Sequence, residues 1–339
     1  MQTTTTAHRV IASALGAAAL LVAAPDARAA LVYVKQANTL HPQVWAASDS
    51  GGQARRLGAG TMPVISADGT RAAWRTFGTR DEVLMTALAG GRAAGRAQRV
   101  VRARDIGELA LSPDGTRLAV GQRRRVVVYD TATRQAVASA PGHAQGLSFS
   151  PDSTALAVGL AELGAVSPPT DVFVLTLATG ARTTLTTGGR ALNPVWGPSE
   201  IAFDRVSPRR RDAPTYQIRA VRPDGTARRA ITHLRIPSLL SGLVPLDVSA
   251  DGRRMVAEFV GQDTSVGFTV NPATGRTRSL SRNQETGFVA AAIARDGSTV
   301  LGTTGGADPT VRKDVVTKPY NGGPRTVLAR DAAYPDWSR

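Results

Sequence analysis

From residue 30 onward the chain consists of short apolar runs separated by turn-forming residues. Residues 126–129 (VVVY) and 172–175 (VFVL) are typical of these runs, which are rich in β-branched and aromatic side chains. No segment repeats its apolar positions with the period of an α-helix. Turn signals return about every 8–12 residues, a spacing that indicates short strands of an all-β protein.

One phrase recurs along the chain: an apolar residue, Ser, Ala or Pro, Asp, and Gly. Its copies begin at Ile65, Leu111, Phe149, Trp196, Val248, Ile293 and, cut short by the chain end, Trp337. The steps between these anchors are 46, 38, 47, 52, 45 and 44 residues. This period matches one four-stranded β-propeller blade. Seven copies predict seven blades. Six blades are the alternative if the degenerate copy at Trp196 does not mark a true blade.

The residue types of the phrase explain why it ends one strand and starts the next. Proline presets φ for the first corner of a tight turn, and Asp can bond its own backbone there. Glycine supplies the position that needs a positive φ. The Asp-Gly pairs are therefore interpreted as turns and not as calcium-binding loops.

The two chain ends predict how the ring closes. Residues 31–34 (LVYV) match the second strand of a blade that has no anchor before it. The missing innermost strand is present at residues 334–338 (YPDWS). We therefore predict a seven-bladed β-propeller of four-stranded blades, closed by pairing of the N- and C-terminal strands, which removes two open sheet edges.

The repeats resemble the WD-like repeats of TolB-type β-propellers. The resemblance is carried by residues 112–120 (SPDGTRLAV), by the third strand of each repeat, and by residues 51–57 (GGQARRL). It covers nearly the whole chain after residue 29. Members of that family include periplasmic translocation proteins, peptidase propeller domains and a minority of lyases, so the resemblance implies the fold and leaves the function open. Because the first repeat follows directly on residues 1–29, we expect no counterpart of the α/β domain that precedes the propeller in TolB.

Residues 1–29 are predicted to be a secretory signal peptide. His8 and Arg9 precede an apolar run over residues 10–24, and residues 27–29 (ARA) form a small-x-small cleavage pattern. The run is too short to span a bilayer, which needs about 20 residues. We expect cleavage after Ala29 and a single β-propeller domain over residues 30–339. The mature protein should then be secreted or periplasmic, without a transmembrane segment, and monomeric.

Composition narrows the chemistry further. The chain has no cysteine, which excludes disulfides, thiolate nucleophiles and cysteine–zinc sites. The formal net charge is +15, with basic residues scattered along the chain. Nucleic acid is not expected as a partner, because the protein is predicted to be exported from the cytoplasm. A protein or an anionic cell-envelope polymer is expected instead, with a general arginine bias as the alternative reading of the charge. No cofactor is expected.

Irregular connections on one face of the predicted ring are the candidate binding region. Loops on a rigid repeat scaffold commonly carry binding residues. Candidate partner-binding residues fall in two such connections: Arg209, Arg210, Arg211, Arg235, Leu239 and Leu240. The arginines could hold a carboxylate or phosphate, or could be a solvated loop tip. Leu239, Leu240 and Leu243 could form an exposed patch or a buried plug over the ring.

Catalysis has few candidates in this sequence. No Gly-x-Ser-x-Gly elbow occurs, so a hydrolase nucleophile is missing. A metal-dependent polysaccharide lyase of the propeller type could use His41, His143 and His233, although none has a second ligand at metal-binding spacing. We therefore expect a non-catalytic binding module, with the lyase and a structural orphan domain as alternatives.

Overall fold

The computed structural model describes residues 30–78, 80–161, 169–209, 214–261, 265–281, 287–306, 308 and 310–338. The predicted signal peptide, residues 1–29, lies outside this range. Every helix or strand within the described residues is a β-strand. Within this range, no helix long and apolar enough to cross a membrane is found.

The strands follow one another in antiparallel groups, which we number as repeats 1 to 7. Repeat 1 contains β1 (Ala30–Lys35), β2 (Gln43–Ser48) and β3 (Arg55–Ala59); repeat 2 contains β4 (Thr61–Ile65), β5 (Arg71–Thr76), β6 (Asp81–Ala89), β7 (Arg92–Ala93) and β8 (Gln98–Ala103); repeat 3 contains β9 (Leu109–Leu111), β10 (Arg117–Gln122), β11 (Arg125–Asp130) and β12 (Ala136–Pro141). Both β7 and β8 pair with β6.

The later repeats keep the same order of strands. Repeat 4 contains β13 (His143–Phe149), β14 (Ala155–Ala161), β15 (Thr170–Thr176) and β16 (Arg182–Thr184); repeat 5 contains β17 (Ala191–Trp196), β18 (Ile201–Ser207), β19 (Thr215–Val221) and β20 (Arg229–Ala230); repeat 6 contains β21 (Leu240–Val248), β22 (Met255–Gly261), β23 (Ser265–Val270) and β24 (Thr277–Ser279); repeat 7 contains β25 (Val289–Ile293), β26 (Thr299–Thr303), β27 (Val315–Pro319) and β28 (Thr326–Ala329). The last strand, β29 (Ala332–Trp337), returns to repeat 1.

Contacts between innermost strands run around a closed cycle. They lead from β4 through β9, β13, β17, β21 and β25 to β29, and β29 contacts β4 again. In the first repeat β29 pairs with β1, placing Leu31 opposite Trp337 and Lys35 opposite Ala332. The predicted all-β propeller, closed by its two chain ends, is confirmed. The count of seven blades stays a prediction, since a parallel bridge between Tyr216 and Gly242 joins repeats 5 and 6 into one sheet.

The core lies between neighbouring repeats, where apolar side chains of adjacent sheets interdigitate. Val126 and Val128 of β11, for example, share one buried cluster with Leu156 and Val158 of β14 and Phe173 of β15. Each repeat alone has two apolar faces, so it can bury them only against its neighbours. The stability of any one repeat therefore depends on the presence of its neighbours.

The recurring phrase forms the corner between the first and second strands of a repeat. In repeat 3 Ser112 Oγ donates to Asp114 Oδ1 at 2.6 Å, and the backbone N–H of Arg117 donates to Ser112 Oγ at 2.9 Å. Gly115 has a φ of +67°, and a Cβ there would lie 2.8 Å from Thr70 Oγ1 of the preceding repeat. The same Ser–Asp hydrogen bond occurs at Ser66–Asp68, Ser150–Asp152 and Ser249–Asp251. The corner is held by its own side chains.

Four of the innermost strands bend at a residue with a left-handed backbone, three positions before the anchor. These residues are Met62, Gly146, Asn193 and Tyr334, with φ values of 51°, 104°, 47° and 50°. The pairing register of each strand shifts at that point, as in a β-bulge. A bulge of this kind re-aims a strand. Here it turns the strand ends around the central axis.

Replacement of Trp337 should show how strongly closure stabilises the protein. Trp337 is buried against Leu31 and Tyr33, so Trp337→Ala should lower the free energy of unfolding by about 3–5 kcal/mol. Trp337→Phe should lower the free energy of unfolding clearly less, because it keeps an aromatic ring. Urea denaturation followed by circular dichroism measures both. Tyr334→Ala, on the same strand but 56% exposed, is the control. An equal loss for Tyr334→Ala and Trp337→Ala would contradict this role of the closure.

Candidate binding surfaces

Residues 231–239 form an irregular segment between β20 and β21, on the predicted face of variable loops. The side chain of Gln217 in β19 replaces regular strand pairing there. Its Nε2 donates to the Leu234 carbonyl at 2.8 Å, and its Oε1 accepts the Leu234 N–H at 3.0 Å and the Thr232 hydroxyl at 2.8 Å. Because both amide atoms are used, the start of the segment is fixed to the sheet.

Arg209 fixes the far end of the same segment. Its guanidinium donates to the carbonyl oxygen of Pro237 at 3.0 Å and to that of Ile236. The sequence suggested that Arg209 could hold an external anion, yet its side chain makes these intramolecular contacts. Arg210 and Arg211 lie outside the described residues, so their predicted role stays a prediction.

Close backbone packing holds the segment against β19. Gly242 has a φ of +118°, and a Cβ there would lie 2.3 Å from the Tyr216 carbonyl oxygen and 2.5 Å from Ile236 Cδ1. Only glycine allows this approach. Ile236 is buried beneath the segment, and Leu243 is fully buried in β21. Leu243 therefore belongs to the core between repeats 5 and 6 and not to an exposed patch.

The outer side of the segment carries one cation beside one apolar side chain. Arg235 is exposed, and Leu239 is 61% exposed with a left-handed φ of 67°. Leu240 is half-buried at the start of β21. Of the leucines singled out in the sequence, Leu239 is therefore presented to solvent, and Leu243 is inside the protein.

The three histidines lie in separate repeats. His41 precedes β2, His143 begins β13 and His233 follows β20, and all three are exposed. Across the described part of the chain, no group of three or more His, Asp or Glu side chains could hold a metal ion.

A buried carboxylate lies in β18, beside the strand that anchors the segment, and no sequence pattern predicted it. Asp204 in β18 is 1% exposed, and Asn193 Nδ2 donates to its Oδ1 at 2.9 Å. Burial raises the pKa of Asp204 to about 6, against the smaller opposing effect of the Asn193 hydrogen bond. Burial, and next the Asp204 charge, also raise the pKa of Tyr216.

A second surface lies at the centre of the opposite face, where the uniform corners meet. A cavity of about 370 Å³ is lined there by residues from all seven repeats. Half-buried apolar side chains form much of its wall, among them Val64, Leu111, Leu147, Trp196 and Val248. The charged groups in its lining are Arg295, which is exposed, and Asp336. Such a cavity can take a small apolar group that carries one negative charge near Arg295.

Asp336 is already used within the protein. Its Oδ2 accepts the backbone N–H of Ile65 in the next repeat at 3.0 Å. The same position, one residue before the anchor, makes the same type of contact in two other repeats: Ser148 Oγ accepts the Trp196 N–H at 2.9 Å, and Asp247 Oδ2 accepts the Ile293 N–H at 2.8 Å. These side chains satisfy main-chain donors at the inner edge of each following sheet.

Comparison with known proteins gives matches to solved structures. The β-propeller domain of the Trilobed protease from Pyrococcus furiosus superposes with a TM-score of 0.66 at 12% identity, covering 88% of this chain and 91% of that one. TolB from Acinetobacter baumannii gives a TM-score of 0.57 at 14% identity, covering 92% of this chain and 67% of that one. The chain has the fold of a TolB-like β-propeller.

At these identities the likeness extends to the fold alone. An oligogalacturonate lyase solved in complex with manganese also matches, with a TM-score of 0.57 at 18% identity over 79% of this chain and 76% of that one. No family model and no curated protein sequence matches this TolB-like propeller. The Pyrococcus domain is described as having an open velcro topology, whereas here β1 and β29 pair directly.

Removal of Arg209 should loosen the 231–239 segment of the TolB-like propeller. Arg209→Ala deletes the hydrogen bonds to Ile236 and Pro237, so amide hydrogen exchange at Leu234 should accelerate about tenfold, while distant repeats stay unchanged. Arg235→Ala, an exposed arginine of the same segment, is the matched control. Unchanged exchange in Arg209→Ala would mean that the segment is held without Arg209.

The buried carboxylate predicts a pH dependence of stability. The pKa of Asp204 is about 6 in the folded protein, above roughly 3.9 in the unfolded chain, so the folded state binds the proton more tightly. Stability from this group is then greatest below the unfolded pKa and is lost as pH rises through about 6. Asp204→Asn should remove the loss, raising the free energy of unfolding near pH 7.5 by up to about 3 kcal/mol.

Urea denaturation at about pH 5 and about pH 7.5 measures the effect. The exposed Asp49→Asn is the control for removal of a carboxylate. An Asp204→Asn protein that is less stable than the parent at both pH values would show that the carboxylate itself is required there.

Proposed function

We propose that the protein is an exported, non-catalytic binding module that contacts an acidic protein surface through residues 231–239 on its irregular-loop face. The observation that carries the proposal is the anchoring of that segment. Gln217 and Arg209 hold its backbone at two ends, and the segment's own Ile236 side chain is buried. A loop fixed in this way loses little conformational entropy when a partner binds.

The chemistry of the exposed side favours a protein over a uniformly charged polymer. Arg235 offers donors to a carboxylate, and Leu239 offers apolar area that a polymer of like charges would leave uncovered. The net charge of +15 favours an acidic partner and speeds its approach. Export is supported by the signal-peptide pattern of residues 1–29. Absence of a Gly-x-Ser-x-Gly elbow from the sequence supports a non-catalytic role.

Capture from cell-envelope extract tests the proposal. The tagged mature protein is compared with an Arg235→Ser/Leu239→Ser variant, in which two solvent-facing groups change while the anchors remain. We expect the variant to lose at least about tenfold in affinity for the captured protein, because a central arginine or apolar contact is commonly worth more than 1 kcal/mol. The captured protein is then purified, and its binding is measured by calorimetry.

Leu40→Ser supplies the matched control. Leu40 is 92% exposed in the connection between β1 and β2, a loop of the same face in a different repeat. Equal loss of binding in both variants would mean that the whole irregular-loop face, and not residues 231–239 alone, contributes to binding. If only polysaccharide or lipid were captured, or if the double variant bound as tightly as the parent, the proposed protein-binding role of residues 231–239 would be wrong.

A further inference from the structure

A groove opens on the outer side of the ring between repeats 6 and 7. Sheets arranged around an axis diverge with radius, so the space between their outer strands must be filled by large side chains or left open. Here the outermost strand of repeat 6, β24, has three residues. It leaves a cavity of about 760 Å³ against the third strand of repeat 7 and the turn that follows that strand. The groove is separate from the 231–239 segment.

Polar and basic groups line this groove. Its described lining is Arg278, Ser279, Leu280, Ser281, Phe288, Thr304, Lys318, Asn321, Gly322, Gly323, Pro324 and Arg325. Three of these side chains are cationic, and none of the described lining residues is acidic. Ser281, Thr304 and Asn321 add hydroxyl and amide groups that can donate to an oxygen ligand, whereas the Ser279 hydroxyl donates to the Ser281 carbonyl oxygen.

Lys318 is held in place by the protein. Its Nζ donates to the Leu280 carbonyl oxygen and lies 5.7 Å from the centre of the Phe288 ring. Leu280 and Phe288 belong to the buried cluster between the two repeats. Lys318 therefore contributes positive potential from the wall of the groove, and the proposal does not need its donors.

Arg278 is fixed in orientation but keeps donors available. Its Nη1 donates to the Asn321 carbonyl oxygen across the groove. For its Nε and Nη2, no hydrogen bond to a described residue is found, and the side chain is exposed. Arg325 follows the turn that contains Gly322 and Gly323, is also exposed, and forms no ion pair with a described residue. A guanidinium held by one contact is pre-organised for a second one.

Two arginines on the outer strands of other repeats are paired with acidic neighbours. Arg229 of β20 donates to both carboxylate oxygens of Glu200, and Arg99 of β8 pairs with Glu82 at 3.1 Å. Arg278 and Arg325 differ in facing a shared space that has no acidic side chain among its described lining. The groove thus combines a concave shape with uncompensated positive charge.

We propose that this groove is a binding site for a ligand that carries two or more phosphate groups. Arg278 and Arg325 would each hold a phosphate through paired N–H donors, which match the geometry of phosphate oxygens better than an ammonium does. Lys318 strengthens the local potential, and the hydroxyl groups of Ser281 and Thr304, which only accept hydrogen bonds within the described residues, supply further donors. Two exposed guanidinium groups in the lining of one groove favour a short chain of phosphates over one isolated ion.

Calorimetry with inorganic tripolyphosphate tests the site on the full mature protein. Binding should be detectable at low ionic strength and should weaken with added salt, as expected for charge-assisted contacts. Arg278→Ser and Arg325→Ser should each weaken binding about tenfold, and the double variant should weaken it further. Thermal unfolding of each variant checks that the fold is retained.

Arg276→Ser is the matched control. Arg276 lies two residues before Arg278, is exposed, and is not part of the groove lining. Equal weakening by Arg276→Ser would mean that tripolyphosphate senses only the overall charge, and the site would be rejected. Tighter binding of an oligouronate of equal charge would overturn the assignment to phosphate. Absence of any tripolyphosphate binding by the parent protein would overturn the proposal itself.

Discussion

The antiparallel pairing of β1 with β29 is the interaction on which the rest of the structure depends. It brings residues from opposite ends of the chain into one sheet, and hydrogen bonds in both directions secure it: the Ala30 N–H donates to Ser338 Oγ at 2.7 Å, and the Ser338 N–H donates to the Ala30 carbonyl at 2.8 Å. Without β29 the first repeat would lack its innermost strand, and the neighbouring repeats would lose the apolar surface that covers them. Every cavity and loop described here takes its position from that closed cycle.

Closure leaves one difficulty, since the innermost strand of each repeat has a free edge toward the axis. In three repeats a side chain accepts one of these free N–H groups from the following repeat: Asp336, Ser148 and Asp247. Each of these contacts joins two sheets, so it exists only when neighbours are correctly placed. Bulges at Met62, Asn193 and Tyr334 lie in three of these innermost strands. Side chains at the axis therefore link adjacent repeats as well as lining a cavity.

Local turn chemistry explains why the strands and the closure could be predicted from sequence. Ser112, Asp114 and Gly115 form a corner by themselves, so the phrase that contains them marks the same corner wherever it occurs. The bulges had a sequence signal too, because proline follows Met62, Asn193 and Tyr334 directly. The bonds from Arg209 to Ile236 and Pro237, the burial of Asp204 and the basic groove at Arg278 had none. They depend on which way side chains point between residues 11 to 43 positions apart, which periodicity does not encode.

The position of β29 has a consequence for the order of folding. The strand nearest the axis of the first repeat is synthesised after every other strand of the ring, and Ser338, directly after it, lies 308 positions beyond its partner Ala30. A nascent chain can form its middle repeats from local contacts, but β1 must wait with one side unpaired until β29 has been synthesised. Such long-range pairing is slow, because a large loop must close before any contact is gained. The unpaired margin of β1 is therefore the place where an incomplete chain is most exposed to mispairing with another copy.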